Sequence, residues 1–238
     1  MCDLLAIGPH PDDIELAAGG TVARFREEGK EVVLLDLTRG ERATRGTPGS
    51  RAQEAIEAAQ VLGVERECLE IPDTGVSARA EDQLSRLVEA LRRHRPRLIV
   101  TLHGNDTHPD HVEGAELVRR ASYLSGVRNY PVPGGEVFRP ERVLFAMGRG
   151  PFVPDLVVDV TATYARKREA LAAYDTQFRR DPDDPLETPI SDPGFLKRIE
   201  ARDRYYGGMI GAEFGEPFSG TGPVPVRRIE VLLGKDEQ

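Results

Sequence analysis

The sequence has no tryptophan, two cysteines and three methionines, and aromatic residues make up only 6% of its 238 positions. Two cysteines, Cys2 near the start and Cys68 in an apolar run, can build neither a disulfide framework nor a thiolate metal cage. A reducing, cytoplasmic setting is therefore expected. No apolar run approaches the length of a membrane span. The first of them, Leu4 to Ile7, is too short for the core of a signal peptide, so neither a membrane partner nor a targeting segment is expected. Basic charge is also in deficit, since 32 Lys and Arg stand against 40 Asp and Glu for a net charge of −8. That balance argues against a general nucleic-acid binder, which carries a basic face.

What the chain does have is alternation. Short apolar runs at Leu4–Ile7, Glu31–Leu37, Glu67–Ile71 and Arg97–Leu102 read as strands. Between and after them lie helical patterns over Ile14–Glu28, Arg51–Leu62, Glu81–His94 and Pro109–Leu124, with Gly29, Gly63 and Pro96 where helices should stop. A loop-like stretch from Ser125 to Pro140 leads to two more strands, Arg142–Met147 and Leu156–Val160, and a helix over Ala162–Tyr174. A Pro- and Asp-rich segment, Asp181 to Gly194, then separates this helix from another, Phe195–Gly207, and a last strand is predicted over Val226–Leu232. The segment reads as a solvated loop, with a flap or an oligomer contact as the alternatives. The pattern predicts an α/β fold: a Rossmann-like, mostly parallel sheet with helices on both faces, in one domain over 1–238. Residues 1–124 form its motif-bearing half and 125–238 a C-terminal extension.

The usual nucleotide-binding loop of such folds is missing. The first strand runs into GPHPDD with no GxGxxG, and Gly19-Gly20 fall inside the first helical pattern, where they permit close packing. Instead, His10-Pro11-Asp12-Asp13 follows the first strand and His108-Pro109-Asp110-His111 the fourth. Proline suits the first helical position, so His10 and His108 should each sit near an N-cap, with Asp13 and His111 one turn on. In a sheet of order 3-2-1-4 these two strands are neighbours, and the crevice between their carboxyl ends is the topological switch point where ligands bind. His10, Asp13 and His111 then form a two-histidine, one-carboxylate set suited to Zn²⁺ with a position left for water. His103 reads as a structural or supporting histidine, and His94 as a solvated residue favourable to its helix end.

The two motifs resemble those of the PIG-L or LmbE-like family of zinc-dependent N-acetylglucosaminide deacetylases. Further matches are TRGE at Thr38–Glu41, TRGTPGSRAQEA at Thr44–Ala55 and RYYGGMIGAEFGEPF at Arg204–Phe218. The last two are similar to the branch that deacetylates N-acetylglucosaminyl-malate in bacillithiol synthesis. The resemblance implies metal held by His10, Asp13 and His111, zinc with ferrous iron as the alternative. It also implies Asp12 as general base, His108 as the group that polarises the carbonyl or donates a proton, and Asp110 as the residue that orients His108. It further implies a homo-oligomer, hexameric in many relatives. The approach to the second motif, Asn105-Asp106-Thr107, departs from the family, where Tyr or Arg is common. Arg39, Arg42, Arg45 and Arg51 crowd the loop after the second strand and suit an anionic glycoside. Arg51, which matches a substrate-contacting residue of relatives, and Arg45 are the expected substrate contacts. A deacetylase of another N-acetylglucosaminide, such as a chitooligosaccharide, is the first competing reading, and a metal-dependent phosphoesterase and a noncatalytic binding module follow it.

Overall fold

The computed structural model describes residues 1–179 and 186–223. Its elements in order are β1 (Leu4–Gly8), α1 (Asp13–Glu27), β2 (Val32–Asp36), α2 (Pro48–Leu62), β3 (Glu65–Cys68), α3 (Glu81–His94), β4 (Leu98–Leu102), α4 (Pro109–Leu124), β5 (Arg142–Ala146) and β6 (Leu156–Asp159). After a 3₁₀ turn at Thr161–Thr163 come α5 (Tyr164–Ala172), α6 (Asp175–Phe178), α7 (Phe195–Met209) and β7 (Gly215–Gly220). The strands form a seven-stranded sheet in the order β3-β2-β1-β4-β5-β7-β6. The first five are parallel, and β7 runs antiparallel to both of its neighbours. The α/β class, the 3-2-1-4 order and the parallel pairing of β1 with β4 all agree with the sequence reading.

Alternation along each strand feeds two cores. Leu5, Ile7, Val33, Leu35 and Ile99 face one side, where α3 and α4 bring Leu84, Leu87, Leu91, Leu117 and Val118. Leu4, Ala6, Val32, Leu34 and Val100 face the other, covered by α1, α2 and α5 through residues such as Ile14, Val22, Ala58, Leu62 and Ala170. Parallel strands buried on both faces read as unbroken apolar runs, which is what LLAI and VVLL are. Among the described residues no helix is long and apolar enough to cross a membrane.

Four local expectations change. α2 begins three residues before Arg51, because Thr47 and Ser50 form a reciprocal cap and Pro48 takes the first turn. β3 covers Glu65–Cys68 rather than Glu67–Ile71, so the segment after Cys68 is free to turn over the carboxyl end of the sheet. The helix expected over Ala162–Tyr174 is divided into the 3₁₀ turn and α5, with α6 following. β7 was not anticipated, because Pro217 breaks its strand signal; it is registered with Val157 of β6 and with no residue of β5, so its missing N–H disturbs one ladder only. The strand expected over Val226–Leu232 and the first part of the 181–194 segment lie outside the described residues.

The glycines of α1 behave as expected. A Cβ on Gly20 would stand 2.7 Å from Val160 Cβ, and one on Gly19 would stand 3.1 Å from Lys167 Cγ. That approach places Lys167, fully buried, between Asp203 and Glu216, each 2.7 Å from its Nζ. Glu216 also accepts from Gly20 N, Thr21 N and Thr21 Oγ1, which ties β7 to α1. Removing the cation leaves the buried Glu216 without its counter-charge and Asp203 with Arg202 alone. Lys167→Met is therefore expected to lower unfolding stability by about 3–5 kcal/mol in a urea titration; a loss under about 1 kcal/mol would show that the network is not needed.

Candidate active site

β1 and β4 are paired from Leu4↔Leu98 to Ile7↔Thr101, so the segments leaving their carboxyl ends emerge side by side. The ring centroids of His10 and His108 lie 4.8 Å apart, those of His108 and His111 4.7 Å, and those of His10 and His111 5.5 Å. His108 caps α4 as expected, its Nδ1 accepting from Asp110 N at 3.2 Å, with Pro109 in the first turn. The first motif departs from this pattern. α1 begins only at Asp13, with Asp12 as N-cap, so Pro11 and His10 precede the helix. Asp12 adopts φ 100, a left-handed conformation that costs a non-glycine residue about 1–3 kcal/mol and is found where a site requires it.

Asp13 joins the two motifs. Its Oδ2 accepts from His10 N at 2.9 Å and lies 3.2 Å from His10 Nδ1, while Oδ1 lies 3.2 Å from His111 Nε2. Two further carboxylates face the other nitrogen of His10: Asp73 Oδ1 and Asp110 Oδ2 each stand 3.2 Å from Nε2. The side chain of Asp110 thus meets His10 and Thr74 N, and reaches His108 only through its backbone amide. Asp106 Oδ2 lies 3.0 Å from His111 Nδ1, near enough for an ion pair but misaligned for a hydrogen bond.

This donor set fits a divalent cation. The ligand nitrogens of His10, His108 and His111 lie within 4.8 Å of one another, as do a ring nitrogen of His10 and carboxylate oxygens of Asp73 and Asp110. Asp13, with one oxygen 3.2 Å from each of the two imidazoles, would add a carboxylate donor beside the histidines. Imidazole and carboxylate together are the donors of an open hydrolytic zinc site rather than of a closed thiolate one.

Burial and charge pull the titrations apart. Burial favours neutral imidazole, but Asp13 and Asp106 outweigh it and raise His111 to about 9. His10 is raised well above its ordinary value in the same way, by hydrogen bonds to Asp110, Asp13 and Asp73. Burial would raise Asp13, yet the His111 charge and the His10 contact hold it well below the usual carboxylate range. Asp73 falls to about 2 because its contact with His10 overcomes its own burial. Asp12 moves the other way: burial raises it to about 7, with Arg51 opposing and Asp13 adding repulsion. His108 is lowered by burial and by the neighbouring His10 and His111 charges.

Two cavities meet at this centre. One, of about 220 Å³, is bordered by His10, Asp12, Asp13, Arg42, Arg51, Asp73, His108 and His111, among others. The second, of about 300 Å³, shares Asp12, Asp13 and His111 but continues between Leu16, Ala17, Leu102, Met147, Phe195 and Ile199. Thr188–Ile190, from the segment read as a solvated loop, line the first cavity, and Ile190 lines both. Of the two arginines expected at substrate, Arg51 borders the first cavity: its Nη2 donates to Pro11 O at 2.8 Å and Nη1 lies 3.7 Å from Asp12 Oδ2. Arg45 is not brought to either cavity; it is buried and turned to the carbonyl of Arg179. His103 accepts from Asn105 N and packs on Phe152, a structural role, while His94 pairs with Glu67. Asp73 is absent from the sequence reading, and Asp106 enters it only as a polar group that could substitute on the approach to the second motif. The one signal for Asp73 is its place in IPDTG after the third strand, and for Asp106 its position two residues before His108, whose N–H it accepts.

The chain matches the PIG-L family model, described as GlcNAc-PI de-N-acetylase, over residues 5–122. A solved structure of a conserved protein from Thermus thermophilus is 39% identical, with a TM-score of 0.87 over 95% of this chain and 97% of that one. Among curated proteins, a diacetylchitobiose deacetylase of Thermococcus kodakarensis is 28% identical over 90% of this chain and 80% of its own length. A 1D-myo-inositol 2-acetamido-2-deoxy-alpha-D-glucopyranoside deacetylase of Rhodococcus jostii is 27% identical over 73% of this chain and 81% of its own.

Because His10 and His111 hold protons at neutral pH in the metal-free protein, an entering cation must displace them. Calorimetric titration of the stripped protein with Zn²⁺ at pH 7, in buffers of different ionisation enthalpy, should report release of about one or two protons. Heats independent of the buffer would contradict these proton assignments.

Proposed function

The chain belongs to the PIG-L family, and we propose that it hydrolyses the acetamide of an N-acetylglucosaminyl conjugate carrying an anionic aglycone, N-acetylglucosaminyl-malate being the preferred form. At the coarser level it is an N-acetylglucosamine-type deacetylase, a hydrolase of an amide C–N bond. The observation that carries this reading is the Asp13 carboxylate spanning His10 and His111, with Asp12, unengaged in that bridge, at the adjoining cavity wall.

His10, Asp13 and His111 would hold the metal, with His108, Asp73 and Asp110 as the nearest further donors. A divalent ion such as zinc supplies Lewis-acid chemistry there, making water more acidic and the amide carbonyl more electrophilic at neutral pH. Asp12 takes the proton of the attacking water and returns one to the leaving amine. Its pKa near 7 places it where both transfers are efficient. The φ of 100 turns its carboxylate out of the cap, where it accepts nothing from the helix, and toward both cavities. His108 Nδ1 is occupied by Asp110 N–H, which leaves the imidazole hydrogen on Nε2. With its pKa lowered, His108 is a neutral donor at pH 7, suited to stabilise the carbonyl oxygen as it gains negative charge. Arg51 anchors the Pro11 carbonyl and faces Asp12, so it keeps the general base in place as well as bordering the substrate cavity.

The preference for an anionic aglycone rests on the arginines at the cavity rim. A neutral chitooligosaccharide is the competing substrate, supported by the likeness to the diacetylchitobiose deacetylase. If the malate glycoside is the substrate, the product is an intermediate of bacillithiol synthesis.

Asp12→Asn should reduce acetate release from the malate glycoside by about 10²–10⁴-fold while leaving bound zinc, measured by mass spectrometry, at the level of the unmodified protein. Undiminished turnover would remove Asp12 from the mechanism. Faster release from N,N′-diacetylchitobiose than from the malate glycoside would assign the neutral substrate instead.

A further inference from the structure

Arg149 lies in Gly148-Arg149-Gly150 beyond β5 and borders both cavities. Its backbone is fixed from the second histidine motif. Asp106 Oδ2 accepts from Arg149 N at 3.1 Å, and Asn105 Nδ2 donates to Pro151 O at 2.8 Å. A Cβ on Gly148 would stand 2.7 Å from Asp106 Oδ2, and one on Gly150 would overlap the Asn105 carbonyl, so only glycine fits on either side of Arg149. The same Asp106 accepts from His108 N and stands against His111 Nδ1. One carboxylate therefore sets both the imidazoles and the turn that presents Arg149.

Among the described residues the Arg149 side chain has no protein partner: its guanidinium makes no hydrogen bond, ion pair or ring contact, in a chain with an excess of acidic groups. Its neighbours at the cavities are engaged: Arg51 with Pro11 O and Asp12, Arg198 with Asp192, and Arg202 with Asp203 and the carbonyls of Met147 and Leu16. Arg42 is the nearest parallel, exposed and bonded through Nη1 only to the neutral Thr74 hydroxyl. Arg42 comes from the loop after β2 and Arg149 from the loop after β5, so they reach the 220 Å³ cavity from either side of the β1–β4 pair.

We propose that Arg149 is a specificity-determining residue that binds a carboxylate on the aglycone of the substrate, with Arg42 flanking it across the cavity mouth. This rests on the N-acetylglucosaminide deacetylase reading. A guanidinium fork on a rigid turn grips a carboxylate through two parallel N–H···O bonds and loses little by doing so, whereas a neutral sugar offers it no countercharge.

The test is steady-state acetate release by the zinc-loaded protein from N-acetylglucosaminyl-malate and from N,N′-diacetylchitobiose, in the unmodified protein and in Arg149→Met and Arg149→Lys. Thermal unfolding of each variant is followed alongside. Arg149→Met is expected to lower the malate-to-chitobiose ratio of kcat/KM by roughly tenfold to a hundredfold, chiefly through KM for the malate glycoside. Arg149→Lys, which keeps the charge but not the fork, should fall between. Added salt should raise KM for the malate glycoside in the unmodified protein more steeply than in Arg149→Met. A ratio unchanged in Arg149→Met, or an equal loss on both glycosides, overturns the proposal. Acetate from neither glycoside with the unmodified protein overturns the deacetylase reading, and the assignment of Arg149 with it.

Discussion

The parallel pairing of β1 with β4 is the constraint on which the site depends. It takes two segments a hundred residues apart and fixes His10 and His108 at adjacent strand ends, with Asp13 and His111 entering the helices that follow. The pairing is stabilised far from the chemistry, by Leu5, Ile7 and Ile99 in one core and Leu4, Ala6 and Val100 in the other. A one-residue slip would exchange these two sets and move each motif off its partner. Register, core and site are thus a single requirement on the sequence.

Charge explains why the centre calls for a cation. Asp13, Asp73, Asp106 and Asp110 converge on His10 and His111, and Asp12 adjoins them with Arg51 as its ion pair. So many carboxylates in a largely buried space are unfavourable without compensation. In the metal-free protein protons supply it, which is why burial fails to lower His10 and His111. A divalent ion meets the same demand while leaving the imidazoles free to ligate.

Fold class, strand order and both histidine motifs were legible in the sequence because each rests on a local signal: apolar runs of strand length, helix-stopping glycines, and proline beside a capping residue. Loops that cross over the site were less so. The Arg-rich loop gave four guanidinium groups with no means of telling which turns inward, and Arg51 does so while Arg45 is drawn to the Arg179 carbonyl. Asp73 and Asp106 act through tertiary contacts made by turns, which leave no periodicity to read. The symmetry expected of the two motifs also fails in an informative way. His108 caps α4, as proline at the next position suggests, but the first helix starts three residues beyond His10. The left-handed backbone at Asp12 departs from local propensity there, as happens at sites where function and foldability conflict.

The left-handed turn gives Asp12 and Asp13 different surroundings although they are adjacent. A residue continuing the helix at position 12 would send its carboxylate around the cylinder by about 100° from Asp13, according to the helical repeat. The left-handed backbone at Asp12 breaks that relation, so that Asp13 meets two imidazoles while Asp12 meets Arg51 and open cavity. The two environments then separate their acidities, Asp13 held low by positive charge and Asp12 raised by burial. On the proposed mechanism two carboxyl groups of one sequence pair serve as an anionic ligand and a proton carrier, and a backbone strain of about 1–3 kcal/mol is the cost of dividing them.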